Sequence, residues 1–281
     1  MDLKLGIFVV PDAASGASTV EQMIAADRSG LDVVGVQDHP YQLRFFDTWT
    51  LLAYAAGRTT HVRFLPDVLN LPLRLPTMIA KSAASLDALS GARVDLGIGA
   101  GAFWDAVAAM GGPRRTPKES VDALEEALAI LRGFWSGERS VRFEGRHYKV
   151  TGAHPGPPPA HPIRIYIGAY GPRMLRLTGR LADGWLPSLG EHYLHAEDAA
   201  NAHAAIDEAA RAAGRDPAVI ERALNVMALD GGPVTWADQL ARIVEDLRFT
   251  TLLVGVPQEA PVGFVRRLGE DVAPRLREIV G

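Results

Sequence analysis

A single (β/α)8 TIM barrel, with a short β-hairpin and Pro-rich insertion between strands four and five, is the fold that this sequence predicts. Three observations predict it. Short apolar, strand-like runs recur eight times along the 281 residues. Helical patterns with their own start and stop signals lie between them, and strands that alternate with helices pair in parallel. Eight such repeats close into a barrel, and a chain of this length suits one such domain over residues 1–281. A doubly wound open sheet is the runner-up, because one weak strand, Gly184–Leu186 above all, would change the count if it were lost.

The elements follow in order. Leu3–Val9 is the first strand. Ser18-Thr19-Val20-Glu21 predicts a capping box that opens the first helix, and Ser29-Gly30 predicts its left-handed stop. Val33–Val36 is the second strand, followed by a helix carrying Trp49 and Leu51–Tyr54, read as core before interface. Val62–Leu65 is the third strand, Thr77–Leu89 a helix, and Val94–Ile98 the fourth strand. Thr116-Pro117-Lys118-Glu119 is a second capping box with proline at the first helical position. Its helix places Val121, Leu124, Leu128, Leu131 and Trp135 on one face.

The rhythm breaks over Ser136–Pro162. Val141–Val150 alternates around Glu144-Gly145 and predicts a β-hairpin, and the Pro-rich stretch His154–Pro162 leads into the fifth strand, Ile163–Ile167. Gly184–Leu186, Ala223–Ala228 and Thr251–Val256 complete the strands. Helices are expected over His192–Ala213, Trp236–Leu247 and Pro261–Val280.

Composition excludes several functions. The net charge is −4, which leaves no basic stripe for nucleic acid and no polybasic membrane patch. There is no cysteine, so disulfides, thiolate metal sites and a cysteine nucleophile are excluded. The chain enters its first strand without a basic-then-apolar leader, and no apolar run approaches membrane-spanning length. A cytoplasmic protein is the expectation.

In a barrel the active site lies where the strands end. At the fifth strand end stand Gly168, Ala169, Tyr170, Gly171, Pro172 and Arg173, ahead of a helix beginning near Met174. Proline suits the first helical turn, and the glycines permit positive φ and close approach of the backbone. Unpaired N–H groups and the helix dipole then make a phosphate site, with Arg173 behind them. The alternative is a tight turn without ligand. Asp38-His39 at the second strand end can orient a substrate and move a proton, unless Asp38 caps a loop and His39 is a satisfied structural residue. Asp67, in an apolar strand, either bonds something specific or carries a cost; a structural acid bonded to neighbouring amides is the alternative. Gly99-Ala100-Gly101 could let a planar ring lie against backbone, or merely allow close helix packing. The eight histidines show no convincing metal spacing, and His192 and His195 fall near a helix start where exposure is expected. No nucleophile elbow and no Walker lysine is present.

Several segments together resemble the bacterial luciferase-like superfamily of barrel oxidoreductases, which use FMN or the deazaflavin coenzyme F420. They are Gly30–His39, Leu73–Pro76 leading to Leu86–Arg93, Leu96–Gly101, Ile167–Arg173 and Ala182-Asp183-Gly184-Trp185, spread over nearly the whole chain. The resemblance implies a third-strand bulge with a non-prolyl cis peptide at Asp67-Val68, backing the tricyclic ring. It implies that Asn70, Gly99, Ala100 and Gly101 line the ring and its polyol chain, that Gly168–Arg173 hold its phosphate, and that His39 stands near the reactive face as the catalytic residue, with Asp38 and His39 both among the cofactor-binding residues. It further implies F420 as cofactor, with FMN and a partner flavin reductase as the alternative, a small-molecule substrate, and a homodimer. The chain departs from the sugar-phosphate dehydrogenases of this family in two places. Ala102 stands where they carry a glutamate, and Leu43 where they carry a tryptophan. Asp105 and Tyr41 are candidate substitutes. A flavin binder without turnover, and an unrelated phosphosugar isomerase on the same barrel, are the other readings.

Overall fold

The computed structural model describes residues 3–190 and 193–281. Its strands in chain order are β1 (Lys4–Val9), β2 (Val33–Val36), β3 (Arg63–Pro66), β4 (Leu69–Asn70), β5 (Leu96–Gly99), β6 (Val141–Glu144), β7 (Lys149–Ala153), β8 (Ile165–Ile167), β9 (Gly184–Trp185), β10 (Ser188–Leu189), β11 (Glu221–Val226) and β12 (Thr251–Gly255). The order β3-β2-β1-β12-β11-β9-β8-β5-β4 is parallel throughout, and β10 adds to β11. β3 and β4 are two halves of one strand, interrupted at Asp67-Val68, where the peptide bond is cis. A parallel bridge between Phe64 and Val94 closes the ring. All eight expected strands are present, and the weakest, at Gly184, is a true barrel strand. The open sheet is set aside.

Two packed layers hold this ring. Outside it, strands and helices share a core that includes Leu5, Ile7, Val34, Leu96, Ile165 and Leu252. Inside it, Phe8, Val33, Leu65, Tyr166, Leu186, Ala223 and Leu253 fill the axis beneath Val68. The plug separates the two ends of the barrel, as parallel strands buried on both faces require.

The helices are α1 (Gly16–Arg28), α2 (Thr48–Ala56), α3 (Pro76–Ser90), α4 (Trp104–Ala109), α5 (Pro117–Trp135), α6 (Pro172–Leu181), α7 (Ala199–Ala212), α8 (Pro233–Leu247), α9 (Pro261–Arg267) and α10 (Ala273–Val280). The second capping box forms as expected, with Glu119 N–H donating to Thr116 Oγ1 at 3.3 Å and Thr116 N–H to Glu119 Oε2 at 3.0 Å. The first does not form. Asp12 caps a 3-10 turn over Ala13–Ser15, which carries the chain into helix two residues ahead of Ser18, and Thr19 donates its hydroxyl proton to the Asp12 carbonyl. Gly30 stops α1 with φ +76°, as read. The last expected helix is divided by a π turn at Leu268–Val272. The helix expected from His192 begins at Ala199; His192 itself lies outside the described residues. Leu51 and Leu52 on α2 are core, whereas Tyr54 is exposed.

The insertion is the predicted hairpin, β6 against β7, with a longer turn than the alternation implied. Glu126 on α5 sets that turn, its carboxylate accepting from the backbone N–H groups of Arg146, His147 and Tyr148. Asp87 on α3 does the same for the Pro-rich stretch through the N–H groups of Ala160 and His161. No helix among the described residues is long and apolar enough to cross a membrane.

Candidate active site

A cavity of about 380 Å³ opens at the C-terminal ends of the strands. It gathers Asp38, His39, Asp67, Val68, Asn70, Gly99, Ala100, Gly101, Gly168, Tyr170 and Gly171 from the residues expected there. Ala169, Pro172 and Arg173 are not brought into its lining.

Asp38 is fully engaged. Arg74 grips it through two nitrogens, Nη2 to Oδ1 at 2.8 Å and Nε to Oδ2 at 3.2 Å, and the Asn70 N–H donates to Oδ2 at 2.8 Å. A buried carboxylate so paired ties the end of β2 to β4, and its three hydrogen bonds hold it in a structural role. His39 is different. Its ring stacks on Tyr41 with centroids 5.4 Å apart and meets the edge of Phe103 at 5.5 Å. Burial holds its pKa below the ordinary histidine value, against the opposing pull of the Asp38 charge. The imidazole is therefore neutral near pH 7 and able to accept a proton. Burial also pushes the Tyr41 phenol up to about 12, with the Asp38 charge adding to it, so Tyr41 stays protonated.

The cavity floor carries a polar chain that crosses the barrel. Asn225 on β11 donates from Nδ2 to Asp67 Oδ1 at 2.9 Å and to Ser188 Oγ on β10 at 3.3 Å. Asp67 thus bonds a side chain on the far wall, not the amides of a neighbouring strand. Among the described residues its Oδ2 has no partner, and neither have Asn70 Oδ1, Asn225 Oδ1 or the Tyr41 hydroxyl. Burial raises the Asp67 carboxyl to about 7, only partly offset by the Asn225 bond. Buried polar atoms left without a partner are costly, and four of them belong to residues that line this one cavity, which marks it as a candidate ligand site.

The wall beside this floor is flat. A Cβ added at Gly99 would lie 2.9 Å from Val68 Cγ2, and one at Gly168 would lie 3.1 Å from the same atom. Gly101 has φ +106°, and its added Cβ would strike Pro72 at 2.4 Å. Val68 is thereby left bare as a shelf.

The Gly168–Arg173 turn differs from expectation in two respects. Neither Gly168 nor Gly171 has positive φ; Gly168 is needed for its closeness to Val68, and Gly171 is an extended N-cap. Arg173 turns away to Asp122 on α5, at 3.1 Å, because the first turn of α6 faces α5 on that side. The anion-binding capacity that remains is backbone. Among the described residues no acceptor meets the N–H groups of Ala169, Tyr170, Gly171, Arg173 or Met174. Trp185 holds this turn, its indole N–H donating to the Ala169 carbonyl at 2.9 Å. The Ala182–Trp185 segment therefore acts through the turn.

Asp105 is no substitute for the glutamate. It is exposed and ion-paired with Arg114, outside the cavity. Ala102 and Tyr41 do line the cavity, while Leu43 is fully exposed. His195 is exposed, as expected. Sequence reading missed Asn225, Phe103, Tyr193 and Met174, whereas Ser188 and Met227 stand at the ends of the sixth and seventh strands, where a barrel site is expected. Asn225 had a signal: it is a lone amide inside an apolar strand, the same anomaly that drew attention to Asp67.

A larger cleft, of about 880 Å³, opens at the opposite end of the barrel. Its charges are mostly paired with one another. Glu221 accepts from Lys4 at 2.9 Å, Arg164 at 2.5 Å and Thr251 at 2.5 Å, and Arg222 donates to Asp207 at 2.5 Å.

Comparison with known proteins agrees with this geometry. The model of the luciferase-like monooxygenase family matches residues 3–270. An F420-dependent glucose-6-phosphate dehydrogenase of Gordonia bronchialis is 31% identical over 269 residues, covering 92% of this chain and 76% of the relative. An F420-dependent secondary alcohol dehydrogenase, solved with an F420-acetone adduct, superposes with a TM-score of 0.86 at 20% identity, over 99% of this chain and 100% of that one. The oxygenating constituent of 3,6-diketocamphane monooxygenase from Pseudomonas putida, solved with FMN, superposes with a TM-score of 0.79 at 18% identity, over 98% of each. The two structures share the barrel, and the match of sequence over nearly its full length goes further: this chain belongs to the luciferase-like monooxygenase family.

Proposed function

We propose that the protein is an F420-dependent oxidoreductase that transfers hydride between F420 and a small organic substrate at the mouth of the barrel. The observation that carries the reading is the pairing of a bare shelf with a polar floor. Val68 and the Gly99–Gly101 backbone offer a flat surface, and beside it Asp67, Asn70 and Asn225 line the cavity, each with a side-chain oxygen unpartnered among the described residues. Such residues fit the edge and face of a tricyclic ring with polar rim atoms. The choice of F420 over FMN rests on the F420-dependent relatives.

When bound, the deazaflavin supplies a hydride donor or acceptor at its C5 position. The protein binds and orients it. Free N–H groups at Ala169–Gly171 and the start of α6 hold its phosphate. Asp67, Asn225 and Ser188 receive the ring's polar edge, while Val68 supports its back. His39, neutral through burial, accepts the substrate hydroxyl proton in oxidation and returns it in reduction. Tyr41 and Phe103 pack on the imidazole and exclude water from it.

The test is titration of the purified protein with F420 and with FMN, followed by fluorescence quenching and calorimetry. Saturable F420 binding that FMN does not displace is expected. Tight FMN binding with F420 ignored would move the function to a monooxygenase fed by a partner reductase. Binding of F420 with no substrate turned over by any partner molecule would leave a carrier, and binding of neither would sink the reading.

A further inference from the structure

The arginines around the mouth decide what kind of substrate can enter it. Four of the five are already committed to carboxylates. Arg44 pairs with Asp12 at 2.6 Å. Arg74 holds Asp38 at 2.8 Å and Asp47 at 2.7 Å. Arg114 pairs with Asp105 and Arg173 with Asp122 at 3.1 Å. Arg115 donates from Nη2 to the Tyr148 hydroxyl at 3.2 Å and its Nη1 has no partner among the described residues, but it lies outside the cavity lining. Among the described residues the lining of the cavity includes no lysine and no arginine; its charged side chains are the carboxylates Asp38 and Asp67. A substrate phosphate would enter a half-enclosed, low-dielectric space with no counter-charge, at a large desolvation cost. The one place built for an anion is the turn at Ala169–Gly171, and on the proposed function the cofactor phosphate occupies it.

The rim has the opposite character. Phe103 is 61% exposed, Tyr193 50%, Tyr170 45% and Met227 42%, and all four line the same opening. Scattered exposed apolar residues need no explanation, but a ring of them around a concave mouth does. The departure at Ala102 fits too, since a methyl group stands in the cavity lining where the sugar-phosphate dehydrogenases carry a carboxylate.

We propose that the substrate is an uncharged, largely apolar alcohol or its carbonyl counterpart, and not a phosphorylated sugar. This rests on the F420 reading above. In the oxidative direction the carbinol C–H bond breaks, and its hydrogen leaves with both electrons to oxidised F420, which is thereby reduced. The hydroxyl proton goes to His39 and on to solvent, and the carbinol carbon becomes a carbonyl.

The experiment compares cyclohexanol, 1-phenylethanol and 2-octanol with glucose 6-phosphate as substrates for the F420-loaded protein. The reverse direction uses cyclohexanone and acetophenone with reduced F420. At least one neutral compound is expected to exceed glucose 6-phosphate by about 100-fold or more in kcat/KM, the scale on which a missing counter-charge discriminates. Phe103→Ala is expected to raise KM for that compound about fivefold with little change in kcat, the signature of lost uniform binding. Equal or better use of glucose 6-phosphate overturns the proposal, and so does failure of every neutral compound while F420 binds. If F420 does not bind, the cofactor reading falls. Calorimetric titration of the bare protein with acetophenone and with glucose 6-phosphate then decides the substrate class, binding of the sugar phosphate alone overturning it.

Discussion

The two ends of this barrel are built from the same strands and carry opposite electrostatic habits. At the N-terminal end, Arg93 alone donates five hydrogen bonds, to the carbonyls of Ala56, Thr59, Val62 and Ser90 and to the Thr59 hydroxyl. Glu221 is held by Lys4, Arg164 and Thr251, and against the upward push of burial its bonds to Lys4, Thr251 and Tyr166 keep its pKa below the usual glutamate value. At the C-terminal end, Asp67 has one partner and a pKa pushed in the other direction, and three neighbouring polar atoms have none. Satisfied charges stabilise a fold, whereas unsatisfied buried ones weaken it and mark a candidate site. The N-terminal end leaves only Arg222 Nη1 of its cleft lining without a partner among the described residues, whereas four such atoms gather on residues of the mouth, and this difference marks one end as scaffold and the other as site.

The sharpest way to break that comparison is to relieve the mouth. A carboxyl raised by the fold keeps its proton in the native state after the unfolded chain has lost it. Stability therefore falls as pH rises from about 4 to about 7 and stays low above that. At 1.36 kcal/mol per unit, Asp67 accounts for at most about 4 kcal/mol over the window. Asp67→Asn keeps the acceptor for Asn225 and removes the titration. The variant should match the parent near pH 4 in urea unfolding and become the more stable of the two above pH 7. A variant less stable than the parent at pH 8 would show that Asp67 is structural.

Arg93→Met tests the other end. It leaves four buried carbonyls short of a donor, at a cost of about 3–4 kcal/mol. Urea unfolding should show that loss, while F420 affinity of the folded protein stays within about twofold, because the plug of Phe8, Leu65 and Leu253 isolates the two ends.

His39→Gln should lower kcat about 100-fold, the lower range for a lost general base, with F420 affinity little changed. In the parent, kcat should decline on the acid side with an apparent pKa below the ordinary value of 6.5, since burial lowers that of His39. A flat profile in the parent would remove His39 from the chemistry. The smallest effect is expected from Gly99→Val, whose added Cβ sits 2.9 Å from Val68 Cγ2. It should raise the F420 dissociation constant about tenfold, or 1.4 kcal/mol. Its melting temperature should move little, because Gly99 lies at the open end of its strand.

Local pattern decided much of this protein in advance. Apolar runs and helix signals are short-range properties, so the eight strands, the hairpin and the Thr116 capping box are legible in the chain. The Ser18 box misled because Asp12, six residues earlier, captured the helix start first. The glycine turn and the Asp38-His39 pair were found because strand ends are predictable once the strands are. What only tertiary structure decided is who meets whom across the ring. Arg74 claims Asp38, Asp122 draws Arg173 off the phosphate turn, and Asn225 reaches Asp67 from 158 residues away. Those contacts exist because closure of the barrel sets strand neighbours and register, and no periodicity within one strand records which residue will face it from the opposite wall.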